Sequence, residues 1–250
     1  MKTIAFLNMK GGVGKTTTSV NVATGIAMKG KRVLLVDFDP QSNATSLYDI
    51  DYDISISDVL KGTVNVKDSI KTIDDNLWLI PSSLDLFDTE IELRLQTDAP
   101  QHNRLKKALG QIQDQFDYCI IDCPPIVNLL TVNAILSSNL LIIPIKPEKH
   151  AVSGFNYTIK NVLKLKTNWE LDLEFKVLFT IVNRNIEEQA IIEQITNLIP
   201  EQCFKTIIRS QPKPIVASSM SNKAVIKETS KDIPVAEDLR HLVTEIMGVI

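Results

Sequence analysis

The tightest constraint on this chain lies close to its first residue. Between an apolar run, Thr3 to Leu7, and a helix-patterned segment that begins at Thr16 stands the string Lys10-Gly11-Gly12-Val13-Gly14-Lys15-Thr16-Thr17. Glycines without a Cβ let the backbone curl so that successive N–H groups converge on one anion, and the helix that follows adds its positive N-terminal end. The product is a phosphate cradle. Lys15 is placed to sit on the outer phosphates and the Thr16 hydroxyl to ligate a magnesium ion, as the corresponding residues of a P-loop do. The usual pattern has a glycine where this chain has Met9. The loop is therefore a variant, marked by a second lysine, Lys10, directly before the glycine pair.

Beyond the loop, strand-like apolar runs alternate with helix-patterned segments, which predicts a parallel sheet covered on both faces. The runs are Thr3 to Asn8, Arg32 to Asp37, Leu77 to Pro81, Tyr118 to Asp122, Leu140 to Ile145, Lys176 to Val182 and Phe204 to Arg209. Most are continuous rather than alternating, as strands buried on both faces should be. Helical spacing of apolar residues marks Thr16 to Lys29, Asn103 to Gln115, His150 to Lys166, Glu187 to Leu198 and the segment after Pro234. The Asp49 to Asp75 stretch, rich in Asp and Ser, has the weakest pattern. With no linker and no internal repeat, residues 1–250 are expected to form one α/β domain, a doubly wound, mostly parallel sheet. At 250 residues and 44% hydrophobic content the chain can bury a full core.

Charge and cysteine content set further limits. A net charge of -3 announces no global affinity for nucleic acid, so any such surface must be local. Cys119, Cys123 and Cys203 share no metal-ligand spacing with the three histidines and read as apolar residues of a reducing cytosol. No apolar run approaches the roughly 18 residues of a membrane span. A soluble, cytoplasmic protein is expected.

Three carboxylates fall where strands end. Val33-Leu34-Leu35-Val36 runs into Asp37-Phe38-Asp39-Pro40-Gln41, and Cys119-Ile120-Ile121 runs into Asp122-Cys123-Pro124-Pro125. Ligands of open parallel sheets gather beyond the carboxyl ends of the strands, so all three acids can converge on the phosphate loop. An acid after a run of aliphatics is costly to desolvate unless a cation receives it, and a magnesium ion held by Thr16 supplies one.

Together the strings KGGVGKTT, LLVDFDPQ followed by SNATS, and YCIIDCPP resemble the ParA/Soj branch of the deviant Walker ATPases, a superfamily that also includes MinD. The resemblance implies a P-loop fold and ATP with magnesium at the cradle formed by Lys10, Gly11, Gly12, Val13, Gly14, Lys15, Thr16 and Thr17. It implies that Lys15 contacts the outer phosphates, that Thr16 ligates the metal, and that Asp37 and Asp122 stand in the outer metal shell. Asp39 would help position the attacking water. Lys10 would be the signature lysine, reaching across a dimer interface to the ATP of the partner subunit. Asn183 and Arg184 resemble the segment whose asparagine recognises adenine, with Ser210, Gln211 and Pro212 closing the base pocket.

The chemistry is consistent with slow turnover. Phosphoryl transfer to water needs positioning and charge neutralisation, which lysine, magnesium and backbone N–H groups provide, and no histidine lies near a motif to act as a strong base. Without nucleotide Lys10 and Lys15 would repel each other, whereas bound ATP has charge enough for both, so dimerisation should depend on ATP.

A second local signal runs from Cys203 to Lys227, where Lys205, Arg209, Lys213, Lys223 and Lys227 occur without one acidic residue. This is a candidate footprint on the phosphate backbone of DNA of any sequence, since no base-reading element accompanies it. The family resemblance then implies an ATP-dependent homodimer on the nucleoid, non-specific DNA as ligand, and a ParB-type centromere-binding partner that stimulates hydrolysis. Two other readings stand beside it. A membrane-cycling regulator like MinD would use a lysine-rich C-terminal amphipathic helix, but the last helix here contains Glu237, Asp238, Arg240 and Glu245. An electron-transfer relative similar to the nitrogenase iron protein would need Cys119 or Cys123 in an exposed loop.

Overall fold

The apolar run after Met1 forms β1 (Lys2–Phe6), and its two faces explain why it does not alternate. Ile4 and Phe6 enter one hydrophobic core and Ala5 and Leu7 the other, so both faces of the strand are dry. The computed structural model describes residues 1–230 and 232–250. From β1 the phosphate loop leads into α1 (Lys15–Met28), β2 (Val33–Asp37), and two short helices, α2 (Asn43–Tyr48) and α3 (Ile56–Lys61). A hairpin, β3 (Lys71–Asp74) and β4 (Leu77–Ile80), precedes α4 (Asp85–Leu95) and α5 (Arg104–Gly110). The second half runs β5 (Tyr118–Asp122), α6 (Leu129–Ser137), β6 (Leu140–Ile145), α7 (Ala151–Asn168), β7 (Glu174–Phe179), α8 (Ile186–Leu198), α9 (Pro212–Met220) and α10 (Pro234–Val249).

The strands lie in the order β3-β4-β2-β5-β1-β6-β7, all parallel except β3 at one edge. Helices α3 to α8 contribute to the core on one face, and α1, α2, α9 and α10 cover the other. The chain reverses its direction of winding at β1, whose neighbours are β5 and β6. The crevice beyond the carboxyl ends of β1, β2 and β5 is thus a topological switch point, where ligands of this architecture bind.

Two expectations need correction. Phe204 to Arg209 is not a strand: it follows the edge of β7 through single bridges at Cys203 and Arg209 and backbone bonds such as Ile208 N–H to the Phe179 carbonyl. The seventh strand is instead β3, at the opposite edge and within the stretch of weakest pattern. Only Ile73 is aliphatic there, because an edge strand packs little. β7 also stops three residues early, since Ile181 takes a left-handed φ of 56°. Helices α2 and α3 are too short for periodicity, and α6, LLTVNAILS, is apolar nearly all round and so shows no moment to read.

The final helix resolves one alternative. Val235, Leu239, Leu242, Val243 and Ile246 of α10 are buried in the core against α1, so its apolar face is not available to a lipid surface. Among the described residues no helix is long and apolar enough to cross a membrane.

Close approach of α1 to α10 depends on Gly25. A Cβ there would stand 2.5 Å from Ile226 Cδ1 and 2.6 Å from Val243 Cγ2. Alanine is the better helix former by about 1 kcal/mol, but Val243 is branched at Cβ and cannot turn away within a helix. Overpacking should therefore outweigh propensity. Gly25→Ala is expected to destabilise the chain by about 1 kcal/mol in urea unfolding, and Gly25→Val by more; an unchanged or raised midpoint for Gly25→Ala would show that the contact yields.

Candidate nucleotide site

The loop after β1 is held from beneath by polar side chains. Asn8 donates through Nδ2 to the Pro144 carbonyl at 2.6 Å and accepts the Lys10 N–H at 3.0 Å. The Thr180 hydroxyl donates to the Val13 carbonyl at 2.7 Å. Gly12 and Gly14 have φ of 72° and 79°, the left-handed region that side chains avoid. Apart from its chain neighbours, no described residue lies within 4 Å of where a Cβ would stand on Gly11 or Gly12. The concavity is open to a ligand and lies at the N-terminus of α1, a helix of 14 residues.

Lys15 and Lys10 behave differently. Lys15 is buried and folds back over the loop, Nζ donating to the Lys10 carbonyl at 3.1 Å. Burial pushes its pKa below the ordinary lysine value, and Asp122 partly opposes that. Lys10 turns out of the cradle and forms an ion pair with Glu148 of the same chain. Glu148 also accepts from Lys146 at 2.9 Å, and the two lysines, Lys10 first, hold its carboxyl below the usual range. The expected repulsion between Lys10 and Lys15 is thus relieved within the chain. Glu148 escaped the sequence reading, although it follows the end of β6 just as Asp37 and Asp122 end their strands.

The three aspartates converge as expected but are not equivalent. Asp37 is fully buried, and its Oδ2 accepts from the Thr45 N–H at 2.8 Å and the Thr45 hydroxyl at 2.7 Å. Thr45 in turn accepts the Ser82 N–H at 3.0 Å, which ties α2 to the end of β4. Burial raises the Asp37 pKa to about 6, with the Thr45 bonds acting against the rise. Asp39 is buried and accepts the Gln41 N–H at 2.9 Å. Asp122 is fully buried, and neither carboxyl oxygen has a hydrogen-bond partner among the described residues. Burial first, then the charge of Asp37, raise its pKa to about 8, while the adjacent Thr16 hydroxyl and Lys15 offset part of the rise.

An orphaned carboxyl beside a hydroxyl and opposite a phosphate cradle fits a small hard cation. Among the described residues no three His, Cys, Asp or Glu side chains converge to hold a metal alone. Magnesium suits this donor set because it keeps several waters and shares phosphate oxygens; Thr16, Asp37 and Asp122 are the residues that would hold it. Cys119 and Cys123 are buried, and burial raises both thiols, the opposite of an exposed cluster ligand.

Beside Gly14 and Thr17 lies a mainly apolar cavity of about 230 Å³, lined also by Ile181, Ser210, Gln211 and Pro212. The structure therefore brings the three residues expected to close a base pocket next to the cradle. Gln211 is partly committed, its Oε1 accepting the Val235 N–H at 2.8 Å. Asn183 and Arg184 follow Ile181 and are exposed, but neither forms part of this cavity's wall; Arg184 lines a separate one with Val182 and Ile207.

The basic stretch divides. Arg209 is bound to Asp238 through Nε and Nη2, the latter at 2.6 Å, and Lys227 to Asp74 at 2.5 Å. Lys205, Lys213 and Lys223 are exposed and make no ion pair among the described residues. The sequence shows no acid in this stretch because the neutralising acids come from β3 and α10, far away in the chain.

Comparison with known proteins agrees with this geometry. The family model described as "AAA domain" matches residues 1–175. The sporulation initiation inhibitor protein Soj of Bacillus subtilis is 41% identical over 214 residues, covering 83% of each chain. The chromosome-partitioning ATPase Soj of Treponema pallidum is 34% identical, covering 83% of this chain and 82% of that one. Among solved structures, a plasmid partition protein from Borrelia burgdorferi bound to AMPPNP superposes with a TM-score of 0.82 at 25% identity over 100% of this chain and 99% of that one. Cobyrinic acid a,c-diamide synthase from Mycobacterium smegmatis, with bound ATP analog and magnesium, gives 0.79 at 28% identity over 89% and 93%. With a variant phosphate loop, aspartates closing β2 and β5, and relatives of this identity over most of its length, the chain belongs to the ParA/Soj family of P-loop ATPases.

Proposed function

We propose that this chain is a DNA-partitioning ATPase: it binds ATP with magnesium at the phosphate loop, dimerises around the nucleotide, binds DNA of any sequence, and hydrolyses ATP slowly. A ParB-type centromere-binding protein would be the partner that accelerates hydrolysis and releases the dimer. The observation that carries this reading is the pair of lysines on one loop, Lys15 folded inward and Lys10 turned outward at the rim. One cradle does not need both. An outward ammonium next to a triphosphate suits a second copy of the chain, and Ile126 and Val127, a few residues past the carboxyl end of β5, are 52% and 40% exposed, apolar surface that such a copy would cover. ATP would draw Lys10 away from Glu148, which couples nucleotide to dimerisation. Support for the metal and the nucleotide comes from the unmet oxygens of Asp122 and from the ligands of the related structures.

Light scattering with magnesium and a non-hydrolysable ATP analogue tests this directly. The wild-type chain should double in mass, and Lys10→Ala should bind the analogue with similar affinity yet stay monomeric. A wild-type monomer at saturating analogue would end the proposal.

For DNA, the free lysines are the contacts proposed. Lys213→Ala with Lys223→Ala should lower the slope of log affinity against log salt by about 2 per protomer, about 4 for the dimer, uniformly across sequences. Arg209→Ala should instead lower thermal stability, because it strands Asp238, whose side chain is only 10% exposed. Equal salt slopes for the double variant and wild type would remove these lysines from the interface.

The aspartates give a pH signature. The folded chain holds the Asp122 proton with a pKa of about 8, whereas the unfolded carboxyl titrates near ~4. Stability from this proton is complete below about pH 4 and is lost as pH rises toward 8. The nucleotide-free protein should therefore melt lower at pH 8 than at pH 6. Asp122→Asn should flatten that dependence and raise the pH 8 midpoint by about 3 °C or more. Parallel pH curves for the two proteins would contradict an Asp122 that keeps its proton in the folded chain.

A further inference from the structure

Past β7 the backbone is strained. Ile181 and Arg184 have φ of 56° and 62°, a region that side chains, and β-branched ones above all, avoid. Such a conformation persists only where its surroundings over-determine it. Here the surroundings include Glu188, in the first turn of α8 and 8% exposed. Its Oε2 accepts the Asn183 N–H at 2.6 Å and its Oε1 accepts Asn183 Nδ2 at 2.9 Å. Its own N–H donates to Asn185 Oδ1 at 2.8 Å, the N-cap of the helix, so the carboxylate is fixed to a rigid element. Burial works against its ionised form, but the bonds from Asn183, Arg184 and Asn185 outweigh that and hold the carboxyl below its ordinary range.

The consequence concerns the orientation of one amide. A side-chain amide can turn over and exchange its donor for its acceptor, but an ionised carboxylate only accepts. Glu188 therefore fixes Nδ2 toward itself and leaves Oδ1 of Asn183 as an acceptor facing away. No group among the described residues donates to that oxygen. Ile181, two residues earlier, lines the apolar cavity beside the phosphate loop. An acceptor that met the edge of a purine held beside that cavity would welcome the exocyclic amino group of adenine and repel the carbonyl oxygen that guanine carries at the same place.

We infer that Glu188 is a positioning residue for base selectivity: by locking the Asn183 amide in one orientation it makes the site favour adenine over guanine nucleotides. The inference rests on the reading of the loop as an ATP site. Glutamine at 188 has nearly the same size but can donate as well as accept, so Asn183 would be free to turn and offer Nδ2 to guanine.

The test is competition between MgATP and MgGTP for the full chain, with the affinity ratio as readout and thermal melting as a control for folding. Glu188→Gln should reduce the preference for ATP about tenfold, roughly the worth of one hydrogen bond, chiefly by tightening GTP. Asn183→Ala should also reduce the preference, but by weakening ATP. A ratio unchanged in Glu188→Gln but reduced in Asn183→Ala would make Glu188 a mere clamp for the loop and overturn the inference. Unchanged ratios in both variants would show that the base is not read at Asn183, and overturn it as well. Failure of the wild type to bind either nucleotide would instead overturn the ATP reading beneath it.

Discussion

Everything at the carboxyl edge of this sheet follows from carboxylates placed where water is excluded. Asp37 and Asp122 end adjacent parallel strands in register, and neither is exposed. Taking a carboxylate out of water costs several kcal/mol unless charge or hydrogen bonds replace the lost hydration. Asp37 has Thr45 and the Asp39 N–H. Asp122 has no hydrogen-bond partner among the described residues, and Lys15, whose charge offsets part of its raised pKa, is itself buried. Asp122 therefore keeps its proton to about pH 8, and a divalent cation with a polyphosphate would supply the charge that lets it ionise. That is a physical reason for such a site to bind nucleotide and metal together.

The same accounting extends to the lysines. Two ammonium groups on one glycine loop are a liability when no anion is present. The chain meets this by separation: Lys15 goes inward under its own loop carbonyl, Lys10 outward to Glu148. Glu148 is shared with Lys146, so it can release Lys10 without becoming an unpaired charge. The ion pair is exposed, and exposed pairs are worth at most about 1 kcal/mol. A contact this weak would yield to a triphosphate, as the role proposed for Lys10 requires.

How far the sequence discloses this can be judged residue by residue. The loop, α1 and the three aspartates are legible because glycine spacing and an acid at the end of an aliphatic run are local signals with one dominant physical cause. The parallel core is legible because strands dry on both faces read as unbroken apolar runs. The β3 edge is not, since Lys71-Thr72-Ile73-Asp74 buries little and is held by pairing with β4, by Ile73 against the core and by the Asp74–Lys227 ion pair. Nor is the fate of Arg209 and Lys227 legible: their partners, Asp238 and Asp74, come from elsewhere in the chain, and charge counting along a stretch is blind to pairing across it.

Glu188 marks the limit of such reading most clearly. In sequence it is the second of two glutamates at the start of a helix, where acids are favoured by the exposed N–H groups and the helix dipole alone. Glu187, its neighbour, fits that bland description and is exposed. Only the left-handed turns at Ile181 and Arg184, which swing Asn183 back over the first turn of α8, give the second glutamate a different partner. A helix start thereby becomes a fixed point against which a flexible amide is oriented, and strain in the loop, costing on the order of 1–3 kcal/mol per residue, is the sign that the orientation matters more than the stability it consumes.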